Sequence, residues 1–446
     1  MKSIIIRIFP VLAGIIFLTG ITGCKNKTPE VTIPGKISTD SCVSDQSISY
    51  KIYIPSHPKS CSKFPLFFIL DPHGAADAAI SRFIPIAEQY GCALVSTYSI
   101  KNNIPDYIPI TQQVITDVRS KFPVGAMLYL AGFSGGARMS IAYAQQNTVN
   151  GLVVCGALAS DEEIRNCKTK VFAIAGMVDF NFGESARFVL NPNQMPDNLF
   201  LEINNEVHEW PSPTALGRAF GAIFLSNPPE DHDCFPIKEL TKDYLESCKK
   251  YNDSLIADKD LIKTSLEWHN LQHLDLSKTG SDFAERLDTL LKNSLYRNQI
   301  SQVQKSLQFE YRVREAYQQA LMKNDAAWWQ KELKVLNDQI ERETNNYQQL
   351  ALKRIKAFLG IMCYTLSRNS IQQNDKINTP RFLVIYKLVD PENPDMFYFS
   401  ALFAQKSGEK ADKVTALLQQ SIDAGYTDMR SIQVNFPIQI TSQLKN

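Results

Sequence analysis

The chain divides by its rhythm of apolar and polar positions. Ser47 to Pro55 alternates residue by residue, as an outer antiparallel strand does. Phe64 to Leu70 is apolar throughout, the mark of a strand covered on both faces. The runs Cys92 to Thr97, Met127 to Leu130, Gly151 to Gly156, Val171 to Ala175 and Leu199 to Ile203 have the same character. Between them lie stretches of helical character: Ala75 to Tyr90, Ile110 to Phe122, Ala137 to Gln146 and Pro213 to Leu225. Pro85 should kink or split the first of these, because it removes a helical donor. Strands that alternate with helices predict a mostly parallel, doubly wound α/β sheet wrapped on both faces.

The pattern changes after Leu225. Ser226 to Pro236 is rich in proline and acid and reads as a linker. Beyond it strand signals nearly vanish, so an all-α domain is expected. Ile300, Val303, Leu307 and Tyr311 recur at helical spacing before an Asn324-Asp325 break. Trp329, Leu333, Leu336, Ile340, Tyr347 and Leu350 do so after it, which fits two long helices in a hairpin. Their aromatic stripe reads as core, since a helix buries one such face by default. Phe397, Ala401 and Ala404, a turn at Gly408, then Val414, Leu418 and Ile422 resemble a tetratricopeptide unit, with Ala424 to Asp428 as its exit. The usual proline is missing, and such a unit needs neighbours to cover its faces. The expected organisation is a signal segment at 1–24, a tether at 25–47 and a sheet domain at 48–226. A linker at 227–236, a helical domain at 237–380 and the tetratricopeptide-like unit at 381–446 follow.

The N-terminus bears on location. Lys2 and Arg7 precede an almost wholly apolar stretch, Ile4 to Ile21, and Ile21-Thr22-Gly23-Cys24 closes it. That layout is secretory. A small-residue site ending in cysteine resembles a bacterial lipobox, which implies a lipidated Cys24 and a lipid-anchored place in the cell envelope, periplasmic or surface-facing. A plain transmembrane anchor, for which ~20 apolar residues suffice, is the alternative. An exported chain can form disulfides. Cys42 with Cys61, Cys155 with Cys167, and Cys234 with Cys248 are local pairings; Cys92 and Cys155 also fit as buried small hydrophobes.

Composition narrows the chemistry. The 446 residues are 44% apolar with a net charge of +1, so nothing points to nucleic acid as a partner. The nine cysteines and six histidines form neither a C-x-x-C pair nor an H-E-x-x-H pattern, and no metal or other cofactor is expected.

One stretch does carry chemistry. The apolar run ending at Leu130 is followed by Gly132-Phe133-Ser134-Gly135-Gly136, a G-x-S-x-G sequence, and then by a helix. A serine on so sharp a strand-to-helix turn has its hydroxyl pushed clear of the sheet. An ordinary glycine-rich loop would share the pentapeptide, but the strand before and the helix after are what a nucleophile requires. A serine nucleophile needs a base, and the base an orienting acid. In a doubly wound sheet such groups sit beyond the carboxyl ends of strands. Asp179 follows the Val171 to Ala175 strand and His208 follows the Leu199 to Ile203 strand. Asp161 and Glu184 are rival acids, but the first follows the wrong strand and the second is expected to start a helix, where an acid favours the dipole. His57, His232, His269 and His273 lie outside the strand-end pattern and read as structural or solvated.

The order Ser134, Asp179, His208 is that of the α/β-hydrolases. With Gly176-x-x-Asp179 and His208-x-Trp210, residues 48 to 226 resemble the polyhydroxybutyrate-depolymerase, feruloyl-esterase and dienelactone-hydrolase-like members of that superfamily. The resemblance implies a serine esterase acting on a small-molecule or polymer-linked acyl ester. It also implies oxyanion donors from the backbone of Gly135 and of the Asp71 to Gly74 turn, at His73 and Gly74. Trp210 either lines the pocket or packs. Two departures stand out: Glu206 and Val207 replace glycines before the histidine, and the oxyanion turn has no glycine run. They keep a second reading open, a membrane-tethered binding or scaffold lipoprotein with an inactive hydrolase domain and partner-binding helices. A third is a purely structural envelope lipoprotein.

Overall fold

The computed structural model describes residues 33–56, 63–230, 235–274 and 280–445. Among them are eight strands, β1 (Ile37–Ser41), β2 (Ser49–Tyr53), β3 (Phe64–Leu70), β4 (Ala93–Thr97), β5 (Val124–Phe133), β6 (Gly151–Cys155), β7 (Val171–Gly176) and β8 (Leu199–Asn204). They form one sheet in the order β1-β2-β4-β3-β5-β6-β7-β8. β2 is antiparallel to both its neighbours and every other pairing is parallel. This is the doubly wound, mostly parallel sheet that the strand–helix alternation predicts.

Six helices accompany the strands: α1 (Ala76–Tyr90), α2 (Tyr107–Lys121), α3 (Gly135–Gln146), α4 (Asp161–Arg165), α5 (Phe182–Leu190) and α6 (Pro213–Ser226). Successive strand residues point to opposite faces. Thus Phe67, Tyr129 and Phe200 pack with Phe83 of α1 and Phe220 of α6. Leu66, Phe68 and Leu130 pack with Val114 of α2 and Ala137 of α3. α1 runs through Pro85 without a break. Pro85 is exposed, so water can take the carbonyl whose helical donor is missing.

An all-α half follows: α7 (Ile237–Ala257), α8 (Leu261–His273), α9 (Gly280–Lys292), α10 (Ser294–Lys323), α11 (Ala326–Arg342), α12 (Asn346–Gln372), α13 (Asn378–Val389), α14 (Pro394–Lys406), α15 (Ala411–Asp423), α16 (Met429–Asn435) and α17 (Ile438–Thr441). Ile262 and Leu266 of α8, Val303 and Leu307 of α10 and Leu350 of α12 belong to the same core as the α2–α3 face of the sheet. The α7 residues Leu240, Tyr244 and Cys248 join the other face. Only the C-terminal part, from Tyr317 onward, has a core of its own around Trp329, Leu359, Ile385 and Leu418. The described residues are one compact unit, so the composition change near residue 230 marks a change of secondary structure inside a continuous core.

One contact covers the β8 edge of the sheet. The side-chain carboxamide of Asn270 on α8 accepts from the Leu201 N–H and donates to the Leu201 carbonyl, both at 3.0 Å. It mimics a strand backbone along β8, the edge that otherwise invites pairing.

Several expectations need correction. The segment 25–47 is not tether throughout, because β1 lies within it and pairs with β2. Asp117 of α2 accepts from the Val43 N–H of that segment (2.8 Å) and from the Tyr50 hydroxyl of β2 (2.6 Å). The stripe from Trp329 to Leu350 is not one helix: α11 ends at Arg342, and α12 starts afresh behind Asn345, whose side chain caps the Gln348 N–H at 3.1 Å. Tyr311 is 52% exposed rather than core. Cys155 and Cys167 are free, buried thiols, since Cys155 sits inside the sheet and Cys167 lies against the Glu163 carbonyl. Cys42 and Cys248 are likewise free; Cys61, Cys234 and the proposed lipidation site Cys24 lie outside the described residues. Among the described residues no helix is long and apolar enough to cross a membrane.

Candidate active site

β5 ends at Phe133 and α3 begins at Gly135, so Ser134 alone makes the turn. Its backbone, at φ 53° and ψ −115°, lies where an L-residue is strained. The Ser134 N–H donates to the Cys155 carbonyl of β6 at 2.8 Å, which pins the turn to the sheet. The flanking glycines are steric requirements. A Cβ on Gly132 would stand 2.2 Å from the Gly136 carbonyl oxygen, and one on Gly136 would stand 1.9 Å from that of Leu70.

Asp179 follows β7 and is 1% exposed. Its Oδ1 accepts the Asn181 N–H at 2.7 Å, and its Oδ2 lies 2.8 Å from His208 Nδ1. His208 follows β8, and its Nε2 lies 2.9 Å from Ser134 Oγ. With the imidazole proton on Nδ1, facing Asp179, Nε2 is free to accept from the serine hydroxyl. The rings of Phe133 and Phe180 lie 4.7 and 4.2 Å from the imidazole and limit its tilt. The rival acids are engaged elsewhere: Asp161 pairs with Arg187 at 2.5 Å and Glu184 with Arg138 at 2.6 Å. His269 and His273 stack on each other in α8, and burial depresses His269 to about 4. His57 and His232 lie outside the described residues.

The oxyanion side departs from expectation. The Gly135 amide stands in the first turn of α3, where an N–H has no intrahelical partner. The His73 and Gly74 amides, by contrast, are used within their own turn. His73 N–H donates to Asp71 Oδ1 at 2.9 Å and Gly74 N–H to the Asp71 carbonyl at 3.2 Å. The reason is Asp71, a buried carboxylate that needs donors. It also takes the Trp210 indole N–H at 3.0 Å. Trp210 is therefore a packing residue, buried on Phe133 and Phe83, that ties the histidine loop to the β3–α1 turn.

Asn102 was not expected from the sequence. Its N–H donates to the Pro72 carbonyl at 2.8 Å. Its carboxamide lies over Gly135, where a Cβ would stand 1.8 Å from Asn102 Oδ1 and 3.4 Å from Nδ2. A side chain at 135 would push it aside. Asn102 also borders a cavity of about 940 Å³ between the β3–α1 turn and the C-terminal helices, whose walls include His73, Arg368, Asp395, Tyr398 and Tyr426. Among the described residues, no group of three or more His, Cys, Asp or Glu side chains is placed to hold a metal ion.

No known family model matches the chain, and no curated protein matches it. Solved structures give distant likenesses. A 2,6-dihydroxy-pseudo-oxynicotine hydrolase matches at 10% identity over 39% of this chain and 62% of that one, with a TM-score of 0.30. Est1E from Butyrivibrio proteoclasticus matches at 12% identity over 47% and 98%, with a TM-score of 0.32. An S-formylglutathione hydrolase from Agrobacterium tumefaciens matches at 11% identity over 39% and 87%, with a TM-score of 0.30. The chain thus spans less than two thirds of the first of these and nearly all of the second. Likenesses this distant say nothing of the activity.

Proposed function

We propose that the protein is a serine hydrolase that cleaves an acyl ester, small or polymer-linked, through an acyl-enzyme on Ser134. One observation carries the reading: an unbroken line of hydrogen bonds, 2.8 and 2.9 Å long, from Asp179 through His208 to a serine on a strained turn. Packing alone requires neither the strained serine nor the order of the three.

In this mechanism His208 Nε2 takes the hydroxyl proton as Ser134 Oγ bonds to the acyl carbon. Asp179 holds the imidazole in the useful tautomer and stabilises its charged form. The tetrahedral oxyanion accepts from the Gly135 N–H and from the Nδ2–H of Asn102, which stands in for the occupied His73 and Gly74 amides. One such donor is typically worth ~3 kcal/mol of the barrier. The C–O bond breaks, His208 returns the proton to the departing alkoxide, and the alcohol leaves. Water, deprotonated by His208, then attacks the acyl-enzyme, and Ser134 recovers its proton as the acid departs. The cavity beside Asn102 would take the remote part of the substrate. The export signal adds a lipid anchor at Cys24 and a bacterial envelope location to the proposal.

The test is hydrolysis of a short aryl ester by wild type and by Ser134→Ala, His208→Ala and Asp179→Asn, with melting curves as a folding control. Each variant should melt near wild type and lose activity, and the losses should not add, because the three act as a unit. A Ser134→Ala variant with undiminished turnover removes Ser134 from the role. A wild type inert to every ester and to a serine-directed phosphonate favours the alternative, a tethered scaffold whose helical half binds a protein partner.

A further inference from the structure

We infer that the helical half positions the catalytic acid: Arg354 of α12 and Arg314 of α10 hold the Asp179 loop by its backbone carbonyls. The inference rests on the proposed triad. Arg354 donates to the Met177 carbonyl at 2.6 Å, and Arg314 to the Phe180 carbonyl at 3.0 Å. These two carbonyls bracket Val178 and Asp179. The Arg354 guanidinium also lies over the Phe182 ring at 4.8 Å.

The loop's donors go elsewhere. Met177 N–H donates to the Asn204 carbonyl at 2.8 Å and Val178 N–H to the Glu206 carbonyl at 3.2 Å, both on the segment that leads to His208. The acid loop is therefore held on one side by the histidine loop and on the other by the helical half. Hydrogen bonds from a charged donor are the stronger kind.

The two arginines are themselves set by Glu310. Its Oε2 accepts from Arg354 Nε at 2.8 Å, and its Oε1 pairs with Arg314 one helical turn on. Glu310 and Arg354 are each 1% exposed. A buried ion cluster is a poor way to gain stability, since apolar residues of like volume often do as well. This cluster does something such residues cannot: it offers aimed donors to two carbonyls.

The experiment uses the full chain and an aryl acetate. Arg354→Met, Arg354→Lys and Arg314→Met are each made in wild type and in an Asp179→Asn background, with kcat, KM and melting curves measured for all. Arg354→Met should lower kcat about 100-fold, the effect of a misplaced catalytic group, with KM unchanged. Arg354→Lys, which keeps one charged donor, should recover part of that loss. In the Asp179→Asn background Arg354→Met should cost less than about twofold, within the usual error of such comparisons, because the two residues act through one group and their effects are coupled. Equal fractional losses in both backgrounds, or a change in KM alone, would overturn the inference, because a merely structural role does not depend on the identity of residue 179. If Arg354→Met does not fold, Arg314→Met carries the same comparison with the Glu310–Arg354 pair intact. A wild type inert to ester and phosphonate sinks the triad, and this inference with it. An active wild type with additive losses sinks this inference alone.

Discussion

Replacing Ser134 by glycine and by alanine separates what the turn costs from what it does. At φ 53° and ψ −115° the residue sits outside the regions open to an L-amino acid. Such a conformation costs ~1–3 kcal/mol and persists only where the surroundings enforce it. Both substitutions remove the hydroxyl and its bond to His208, about 1 kcal/mol in each case, so that loss cancels between them. Alanine keeps the strain. Glycine releases it, but gains ~0.5–1 kcal/mol of unfolded-chain freedom. The difference should leave Ser134→Gly more stable than Ser134→Ala by ~0–2.5 kcal/mol, the strain less the freedom. Equilibrium urea unfolding of both variants measures the difference, and aryl ester hydrolysis should be lost in both. If glycine is the less stable by its full entropic cost, no strain is stored at Ser134, and the turn is an ordinary loop.

Two further outcomes follow from the site and its surroundings. Asn102→Ala should lower kcat about 100-fold, the lower end for one oxyanion donor because Asn102 is exposed, with little change in melting; an unchanged kcat returns the role to the backbone. Glu267, buried in α8, is raised by desolvation and by the nearby Glu202 from its ordinary 4.5 to about 8. Between those two values the folded state holds a proton that the unfolded state has lost, so this group makes stability fall as pH rises through that window. Glu267→Gln should therefore gain stability over wild type at pH 8 and not at pH 5, read by urea unfolding at each pH. Equal differences at the two pH values would show that Glu267 is not held protonated.

How far the sequence could be read depended on where each signal resides. The central strands announce themselves because burial on both faces forces apolar residues at every position, as in Phe64–Leu70. Ser134, Asp179 and His208 are legible because their types and their places after strands are both constrained. β1 hides because Ile37–Ser41 is held by pairing with β2 and by polar ties from Lys121 of α2 to Asp40 and the Ser41 carbonyl, and neither leaves an apolar run. The oxyanion side misleads because an amide's availability is decided by Asp71, a side chain that composition shows as one more turn residue. Trp210 binds Asp71 across 139 positions, and Arg354 binds a carbonyl 177 positions away. A backbone carbonyl has no letter in the sequence, so nothing at Met177 or Phe180 signals that an arginine will arrive.

The clasp of Asn270 on Leu201 has a consequence for how this molecule can associate. A sheet grows by lending its outermost backbone groups to another chain, and at β8 those of Leu201 are already taken by a side chain of the same molecule. A second copy cannot extend the sheet from there without first displacing α8, which shares a core with the rest of the protein. A fragment cut before α8 would carry β8 as a bare template, prone to recruit whatever extended chain it meets.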